Sequence, residues 1–168
     1  GNSPTDCGKP ASAKEKKDSI RRRTLAWRRS LEPEEAEALS AKLCNRLTEL
    51  LEEPWAKEMP VLAYAAVRGE ADLSVCCRRL LENGKKLYLP RVRGEEMDFV
   101  RVRDLGEDLI PGAFGVPEPV GEEVFCGKCA LVLIPGVVFD AAGVRAGYGR
   151  GYYDRYLADR TGMVKIGI

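Results

Sequence analysis

The residue types best suited to chemistry lie together in one stretch, residues 144–154, whose sequence is VRAGYGRGYYD. Three glycines alternate there with larger residues, two arginines flank them, and Asp154 closes the stretch. Glycine has no Cβ and accepts positive φ angles, so its backbone can approach an anion closely. Arg145 and Arg150 add charge and fork-shaped hydrogen-bond donors. This combination suits a phosphate, and Asp154 is then a candidate ligand of the Mg²⁺ that accompanies a nucleotide.

The segments on either side of the glycines support a strand-to-helix passage. Residues 130–138 form an apolar run that predicts a buried strand, and residues 152–157 place aromatic and aliphatic side chains at helical spacing. A helix beginning near Gly151 would direct the positive end of its dipole at an anion. Neither G-x-G-x-x-G nor G-K-[ST] is present, so spacing alone leaves a second interpretation open. In that interpretation the glycines form a plain turn, and Asp154 is a first-turn carboxylate facing the helix dipole.

The identities of the residues are more specific than their spacing. The glycine-rich stretch and its flanking residues closely resemble the 5-formyltetrahydrofolate cyclo-ligase family (5,10-methenyltetrahydrofolate synthetase). The flanking residues that share the resemblance are Pro135, Gly136, Phe139, Asp140, Gly143 and Arg155. The resemblance extends from about Lys17 to the last residue. Two residues depart from the family pattern: Ala146 replaces the usual leucine, and Arg150 stands where many members have glycine and others lysine. Arg150 strengthens the argument for an anion.

The resemblance implies an ATP-dependent ligase of folate one-carbon metabolism, which converts ATP and 5-formyltetrahydrofolate to 5,10-methenyltetrahydrofolate, ADP and phosphate. It implies catalytic roles for Arg145 and Arg150 and places Mg²⁺ on Asp154. The implied nucleotide-binding residues are Lys17, Arg21, Arg145, Gly147, Tyr148, Gly149, Arg150, Gly151, Tyr152 and Tyr153. The implied folate-binding residues are Ala65, Glu70, Tyr148, Gly149, Arg150, Gly151 and Tyr152. A carboxylate such as Glu70 can accept hydrogen bonds from a pterin, although an exposed turn glutamate remains the alternative.

Composition narrows the class of protein. The 168 residues carry 27 Lys and Arg against 26 Asp and Glu, a net charge of +1, so no global field favours nucleic acid or membrane. We expect a cytoplasmic monomer that acts on a small reduced folate, without a nucleic-acid or membrane partner.

The chain has no histidine, which removes Ser-His-Asp and Cys-His mechanisms. Six cysteines are present. The C-x-x-C pair Cys126 and Cys129 is either half of a zinc site, a redox pair or, as we expect, two reduced thiols.

The N-terminal region is strongly basic. Residues 1–15 are polar and predict a disordered lead-in, followed by a single domain over residues 16–168 that lacks the C-terminal segment of its family. That segment supplies a further acidic residue near the metal. A helix is predicted from Lys17 to Ser30, which places Lys17 and Arg21 on one face.

Two alternatives to the cyclo-ligase function stay open. One is a non-catalytic nucleic-acid-binding protein that uses the arginines at 21–29, and the other is an ATP-dependent enzyme of the same fold with another substrate.

Alternating helix and strand patterns predict an α/β fold, a three-layer sandwich with a mostly parallel central sheet. The resemblance implies the NagB/RpiA/CoA-transferase-like form of it. A second helix is predicted to begin at Pro33. A third helix is predicted to have Asp72 as its N-cap and to end at Gly84. Strands are predicted at 61–67, 87–91, 97–102, 130–138 and 164–168. Residues 104–129 are rich in proline and glycine and predict a long ordered loop, in which Phe114 is implied to border the folate pocket.

Overall fold

The computed structural model describes residues 12–65, 72–112, 116–135, 138–139, 145–146 and 151–168, with the backbone alone at 138, 139, 145 and 146. Four helices and nine strands occur in this part of the chain. The helices are α1 (Ala13–Ser30), α2 (Pro33–Leu51), α3 (Ser74–Glu82) and α4 (Tyr152–Leu157). The strands are β1 (Val61–Leu62), β2 (Leu87–Arg93), β3 (Glu96–Val102), β4 (Leu109–Pro111), β5 (Pro117–Pro119), β6 (Ala130–Ile134), β7 (Val138–Phe139), β8 (Arg145–Ala146) and β9 (Met163–Gly167).

The central sheet has five strands in the order β3-β2-β1-β6-β9. Strand β1 pairs in parallel with β2 and with β6, and β6 pairs in parallel with β9. Only the edge pair β2–β3 is antiparallel, because a two-residue turn joins it as a hairpin. All five residues of β6 are buried, as expected for a parallel strand covered on both faces. The predicted α/β fold with a mostly parallel sheet is therefore confirmed.

Helices cover both faces of this sheet. On one face, Leu47 and Leu51 of α2 and Leu80 of α3 pack in one apolar cluster with Val61 and Leu131. On the other face, the side chains of α4 pack in a second cluster with the alternate residues of the strands, among them Leu62, Phe99 and Val132. Because successive residues of a strand point to opposite faces, Val61 and Leu62 belong to different clusters. The result is the predicted three-layer sandwich.

The first helix begins earlier than predicted. Helix α1 starts at Ala13, so the assignment of residues 13–15 to a disordered lead-in was wrong. The reason is a capping box: the Glu15 backbone N–H donates to Ser12 Oγ at 3.2 Å, and the Ser12 N–H donates to Glu15 Oε2 at 2.7 Å. Residues 1–11 lie outside the described residues, and the division of the chain into a lead-in and one domain stays a prediction.

The region predicted as one long loop, 104–129, contains the hairpin β4–β5. Asp108 explains why the hairpin can form, because its carboxylate accepts hydrogen bonds from the backbone of Arg103 and Asp104 and organises the preceding turn. Farther along, the Phe125 N–H donates to Phe99 O at 2.7 Å, which attaches the segment to the edge of β3. Two predicted strands, 61–67 and 130–138, are shorter than expected: β1 ends at Leu62 and β6 ends at Ile134.

A buried lysine holds the connection between α2 and β1. Lys85 is 9 % exposed, and its ammonium donates to the carbonyls of Ala56 at 2.6 Å, Lys57 at 3.0 Å and Met59 at 3.3 Å. Burial lowers the pKa of Lys85, and the nearby carboxylates of Glu52 and Glu58 oppose that shift. The ammonium thus binds three backbone carbonyls of the bend that joins α2 to β1.

We expect Lys85→Met to lower the free energy of unfolding by about 2 kcal/mol or more, because carbonyls at the bend lose a charged donor. The matched control is Lys86→Met, since Lys86 is exposed and a surface change of this kind costs at most about 0.5 kcal/mol. Urea unfolding followed by circular dichroism measures both. Equal losses for the two variants would contradict the role given to Lys85.

Candidate active site

The candidate site lies at the C-terminal edge of the parallel strands, where ligands of open α/β sheets bind. Strands β1 and β6 are neighbours and run in the same direction, so the segments that leave them start side by side. The segment after β1 contains Ala65, and the segment after β6 leads through β7 and β8 to the glycines. Two parts of the sequence that the resemblance links to folate and nucleotide are therefore brought to the same edge of the sheet.

The glycine-rich stretch is described only at its two ends. Gly147, Tyr148, Gly149 and Arg150 lie outside the described residues. On the N-terminal side, β8 carries Arg145 and pairs in antiparallel fashion with β7. On the C-terminal side, Gly151 is the N-cap of α4 with a φ of 70°, the left-handed conformation that glycine accepts readily. The predicted order of strand, glycines and helix is confirmed at both ends.

Helix α1 lies against β7 and β8. This contact places the helix that bears Lys17 and Arg21 beside the strand that bears Arg145. Lys17 is exposed, whereas Arg21 is half-buried and forms an ion pair with Asp18. Residues 18, 21, 25 and 28 are half-buried while the intervening positions are mostly exposed, so the face bearing Arg21 is the covered one. Helix α1 therefore brings cationic side chains beside the strand that precedes the glycine-rich stretch.

The first turn of α4 is attached to the turn of the β2–β3 hairpin. The Tyr152 hydroxyl donates to Gly94 O at 3.2 Å, and Arg155 Nη2 donates to Glu95 O at 2.7 Å. The Arg155 guanidinium also lies over the Tyr152 ring, 5.2 Å from its centroid. These contacts fix the orientation of Tyr152, one of the residues expected to bind folate. Sequence analysis gave Arg155 no role, because nothing local indicates a contact with residues so far back in the chain.

The remaining residues of α4 have contrasting surroundings. Tyr153 is 9 % exposed, and its ring packs edge-on against Phe99 with centroids 6.1 Å apart. Its ring therefore belongs to the core, and the expected nucleotide contact of Tyr153 stays a prediction. Asp154 is exposed in the first turn of the helix. In the described part of the chain, no three acidic, cysteine or histidine side chains come together as a metal-binding group.

Ala65 and the cavity beside it belong to the part of the site that is expected to bind folate. Ala65 is half-buried and lines a cavity of about 430 Å³. The cavity lies between the end of β1, helix α3 and the segment around β4, and Asp72 and Arg78 face it. Glu70 and Phe114, two further residues expected at the folate pocket, lie outside the described residues. Sequence analysis did not identify Arg78, although its spacing from Ser74 places both on one face of α3.

The buried cysteines are poorly suited to act as a catalytic nucleophile. Cys44, Cys76 and Cys77 are buried free thiols, and burial raises the pKa of Cys76 to about 11 and that of Cys77 to about 12. At neutral pH both stay protonated and unreactive. Cys126 and Cys129 are exposed and free. No disulfide joins any two of these five cysteines, and the expectation of reduced thiols at Cys126 and Cys129 stays a prediction.

The comparisons with known proteins agree with this geometry. A sequence model described as the 5-formyltetrahydrofolate cyclo-ligase family matches residues 13–167. The chain belongs to this family. Among solved structures, the chain resembles the 5,10-methenyltetrahydrofolate synthetase of Aquifex aeolicus, with 36 % identity and a TM-score of 0.75 over 90 % of this chain and 76 % of that one. The synthetase of Mycoplasma pneumoniae has 25 % identity and a TM-score of 0.69 over 90 % and 83 % of the two chains.

Curated relatives point to the same family. A probable 5-formyltetrahydrofolate cyclo-ligase of Schizosaccharomyces pombe is 29 % identical over 145 residues, which cover 77 % of this chain and 70 % of the relative. A probable cyclo-ligase of Caenorhabditis elegans is 33 % identical over 119 residues, covering 65 % of this chain and 58 % of the relative. Family and relatives indicate cyclo-ligase activity, that of a ligase in folate one-carbon metabolism, and give no support to the nucleic-acid-binding alternative.

No helix in the described residues combines the length and the apolar character needed to cross a bilayer.

Gly151→Ala should lower the free energy of unfolding by more than Gly84→Ala does. Both glycines have positive φ, 70° and 77°, so both variants carry a backbone cost of about 1 kcal/mol. A Cβ at Gly151 would also lie 2.9 Å from Arg155 Nη1 and displace that guanidinium, whereas nothing lies within 4 Å at Gly84. Urea unfolding measures the difference between the two single variants. The same two glycine substitutions are then measured in a protein that also carries Arg155→Ala. An excess cost at Gly151 that survives removal of Arg155 would contradict this explanation.

Proposed function

We propose that this chain catalyses the ATP-dependent cyclisation of 5-formyltetrahydrofolate to 5,10-methenyltetrahydrofolate, with release of ADP and phosphate. The observation that carries the proposal is the family match over residues 13–167, which includes both α1 and the glycine-rich stretch. The contact of α1 with β7 and β8 supports it, because that contact brings the helix of Lys17 and Arg21 beside the strand of Arg145. The chain covers 70 % and 58 % of two of its relatives, so activity of this chain by itself is part of the proposal.

The chemistry requires activation of an unreactive formamide. The nitrogen of the formamide donates electron density into the carbonyl, which makes its carbon a poor electrophile. Transfer of the γ-phosphoryl group of ATP to the formyl oxygen releases ADP and turns that oxygen into part of a leaving group. The folate N10 then attacks the same carbon and loses its proton, the C–O bond breaks, and phosphate leaves. No side chain has to act as a covalent nucleophile, which agrees with the protonated, buried state of Cys76 and Cys77.

Catalysis in this proposal consists of alignment and neutralisation of charge. Arg145 and Arg150 neutralise the charge that develops on the transferred phosphoryl group, and Lys17 and Arg21 of α1 bind the ATP phosphates. Backbone N–H groups of the glycines and of Tyr148 contribute hydrogen bonds to the phosphates. Ala65, Glu70, Tyr148 and Tyr152 hold the folate, and Tyr153 contributes to the nucleotide site. The contact of Tyr152 with Gly94 supports its part, since it fixes the ring in one orientation.

The residues present fit a magnesium ion that arrives with the nucleotide. Asp154 offers one exposed carboxylate in the first turn of α4, and the described residues hold no group of three acidic, cysteine or histidine ligands. Mg²⁺ is commonly held by one or two carboxylates together with substrate phosphates rather than by a complete protein cage. When bound, it would neutralise charge on the β- and γ-phosphates. A monomeric state and a cytoplasmic location remain proposals drawn from the sequence.

The direct test is a spectrophotometric assay for 5,10-methenyltetrahydrofolate from 5-formyltetrahydrofolate and MgATP. We expect product that depends on both ATP and Mg²⁺, because the formyl oxygen must be phosphorylated before N10 can displace it. Reactions without ATP, and with EDTA in place of Mg²⁺, are the controls. Retained ATP binding without product would indicate the same fold acting on another substrate. Absence of both would overturn the proposal.

For the metal site, we expect Asp154→Asn to lower kcat by about a hundredfold or more and to raise the Mg²⁺ concentration needed for half-maximal rate. The cause is loss of the one protein carboxylate proposed to hold the ion. Asp159→Asn is the matched control, because Asp159 is also exposed and lies just beyond α4. Both variants should unfold at nearly the wild-type urea concentration. A similar loss of activity in both, or a loss of stability in Asp154→Asn that matches its loss of activity, would exclude the metal role.

A further inference from the structure

The cavity beside Ala65 has walls of two chemical kinds. Its volume of about 430 Å³ lies within the range of small-molecule sites. One wall is apolar and is built from Leu89 of β2, Leu105 of the segment after β3 and Leu109 of β4. Leu89 is 2 % exposed, and the other two leucines are half-buried against the same core. Three leucines from three separate parts of the chain form a surface suited to a flat ring.

A polar part of the lining belongs to the beginning and middle of α3. Arg78 faces the cavity, is exposed, and forms no ion pair with any residue of the described chain. A guanidinium in that position can bind a carboxylate through two parallel hydrogen bonds. The cavity therefore combines an apolar surface with an exposed cation.

Asp72 adds a negative charge to the polar wall. Its Oδ1 accepts a hydrogen bond from the Ser74 N–H at 2.9 Å, which fixes the carboxylate at the beginning of α3. An anion with no hydrogen-bond donor would be repelled there, whereas a ligand with an N–H group near its carboxylate could satisfy both Asp72 and Arg78. The lining thus offers partners to a ring, an amide N–H and a carboxylate.

We propose that this cavity binds the aminobenzoyl-glutamate end of the folate, and that Arg78 pairs with a carboxylate of its glutamate. The ring lies against Leu89, Leu105 and Leu109, and the amide N–H between ring and glutamate donates to Asp72. This inference rests on the proposed function, and Ala65 connects the two because it lines the cavity and is an expected folate contact. Arg78 is then a specificity-determining residue that contacts substrate far from the reacting atoms.

The test compares Arg78→Gln with Arg79→Gln on two substrates, 5-formyltetrahydrofolate and 5-formyltetrahydropteroate, which lacks the glutamate. Arg79 is the matched control: it is the next residue, it is also exposed, and its Nη1 donates to Asn45 Oδ1 at 3.0 Å on a different side of α3. We expect Arg78→Gln to raise the KM for 5-formyltetrahydrofolate by on the order of tenfold to a hundredfold, with kcat and the KM for ATP unchanged. On the pteroate substrate, Arg78→Gln, Arg79→Gln and the wild type should have the same KM.

The result that overturns the inference is an equal rise of KM on both substrates, or no rise on either. Arg78→Lys should restore part of the affinity for the glutamate-bearing substrate, which a role in folding alone would not produce. Binding of 4-aminobenzoyl-glutamate, followed by NMR titration against 4-aminobenzoate, separates this inference from the proposed function. Consider a wild type that turns over neither substrate and still binds the glutamate-bearing fragment. If Arg78→Gln then loses that binding, the role given to the cavity is still supported. If the wild type binds neither that fragment nor 5-formyltetrahydrofolate, the inference about the cavity is overturned.

Discussion

The whole arrangement depends on the burial of β6 between two layers of helices. Every residue of Ala130–Ile134 is buried, and the strand pairs with β1 on one side and β9 on the other. A strand without access to water must satisfy its backbone N–H and C=O groups through neighbouring strands, so its register cannot slip without loss of those bonds. This constraint determines where the chain leaves the sheet. The segments that carry Ala65 and the glycines then begin at adjacent points of one edge.

A second set of contacts holds the site together from outside the sheet. Helix α1 lies against β7 and β8, and the first turn of α4 is bonded to the turn at Gly94 and Glu95. These contacts surround a stretch rich in glycine, which by itself loses more conformational entropy on ordering than any other residue type. Contacts at both ends of such a stretch restrict the conformations open to it. The proposed mechanism relies on alignment rather than on a covalent nucleophile, and it requires support of this kind.

Several features of the fold could be predicted because they depend on neighbours in the sequence. The apolar run at β6, the stripe of α2 and the turn at Gly84 have periodicities and residue types that indicate one structure. The errors have local causes too. The early start of α1 was missed because the capping pair Ser12 and Glu15 was read as part of a polar tail. The hairpin within 104–129 was missed because its prolines and glycines are also typical of loops.

Local patterns in the sequence were enough to predict the family, the α/β class and the order of strand, glycines and helix at the candidate site. The packing of distant segments was needed to show that α1 lies against β8, that Arg155 contacts Glu95 across 60 residues of chain, and that Arg78 faces the same cavity as Ala65. The physical reason is the range of the information. Periodicity reports which side chains share a face within a few turns. Contacts between distant segments follow from the strand order and from how helices pack on the sheet, and no local pattern records either.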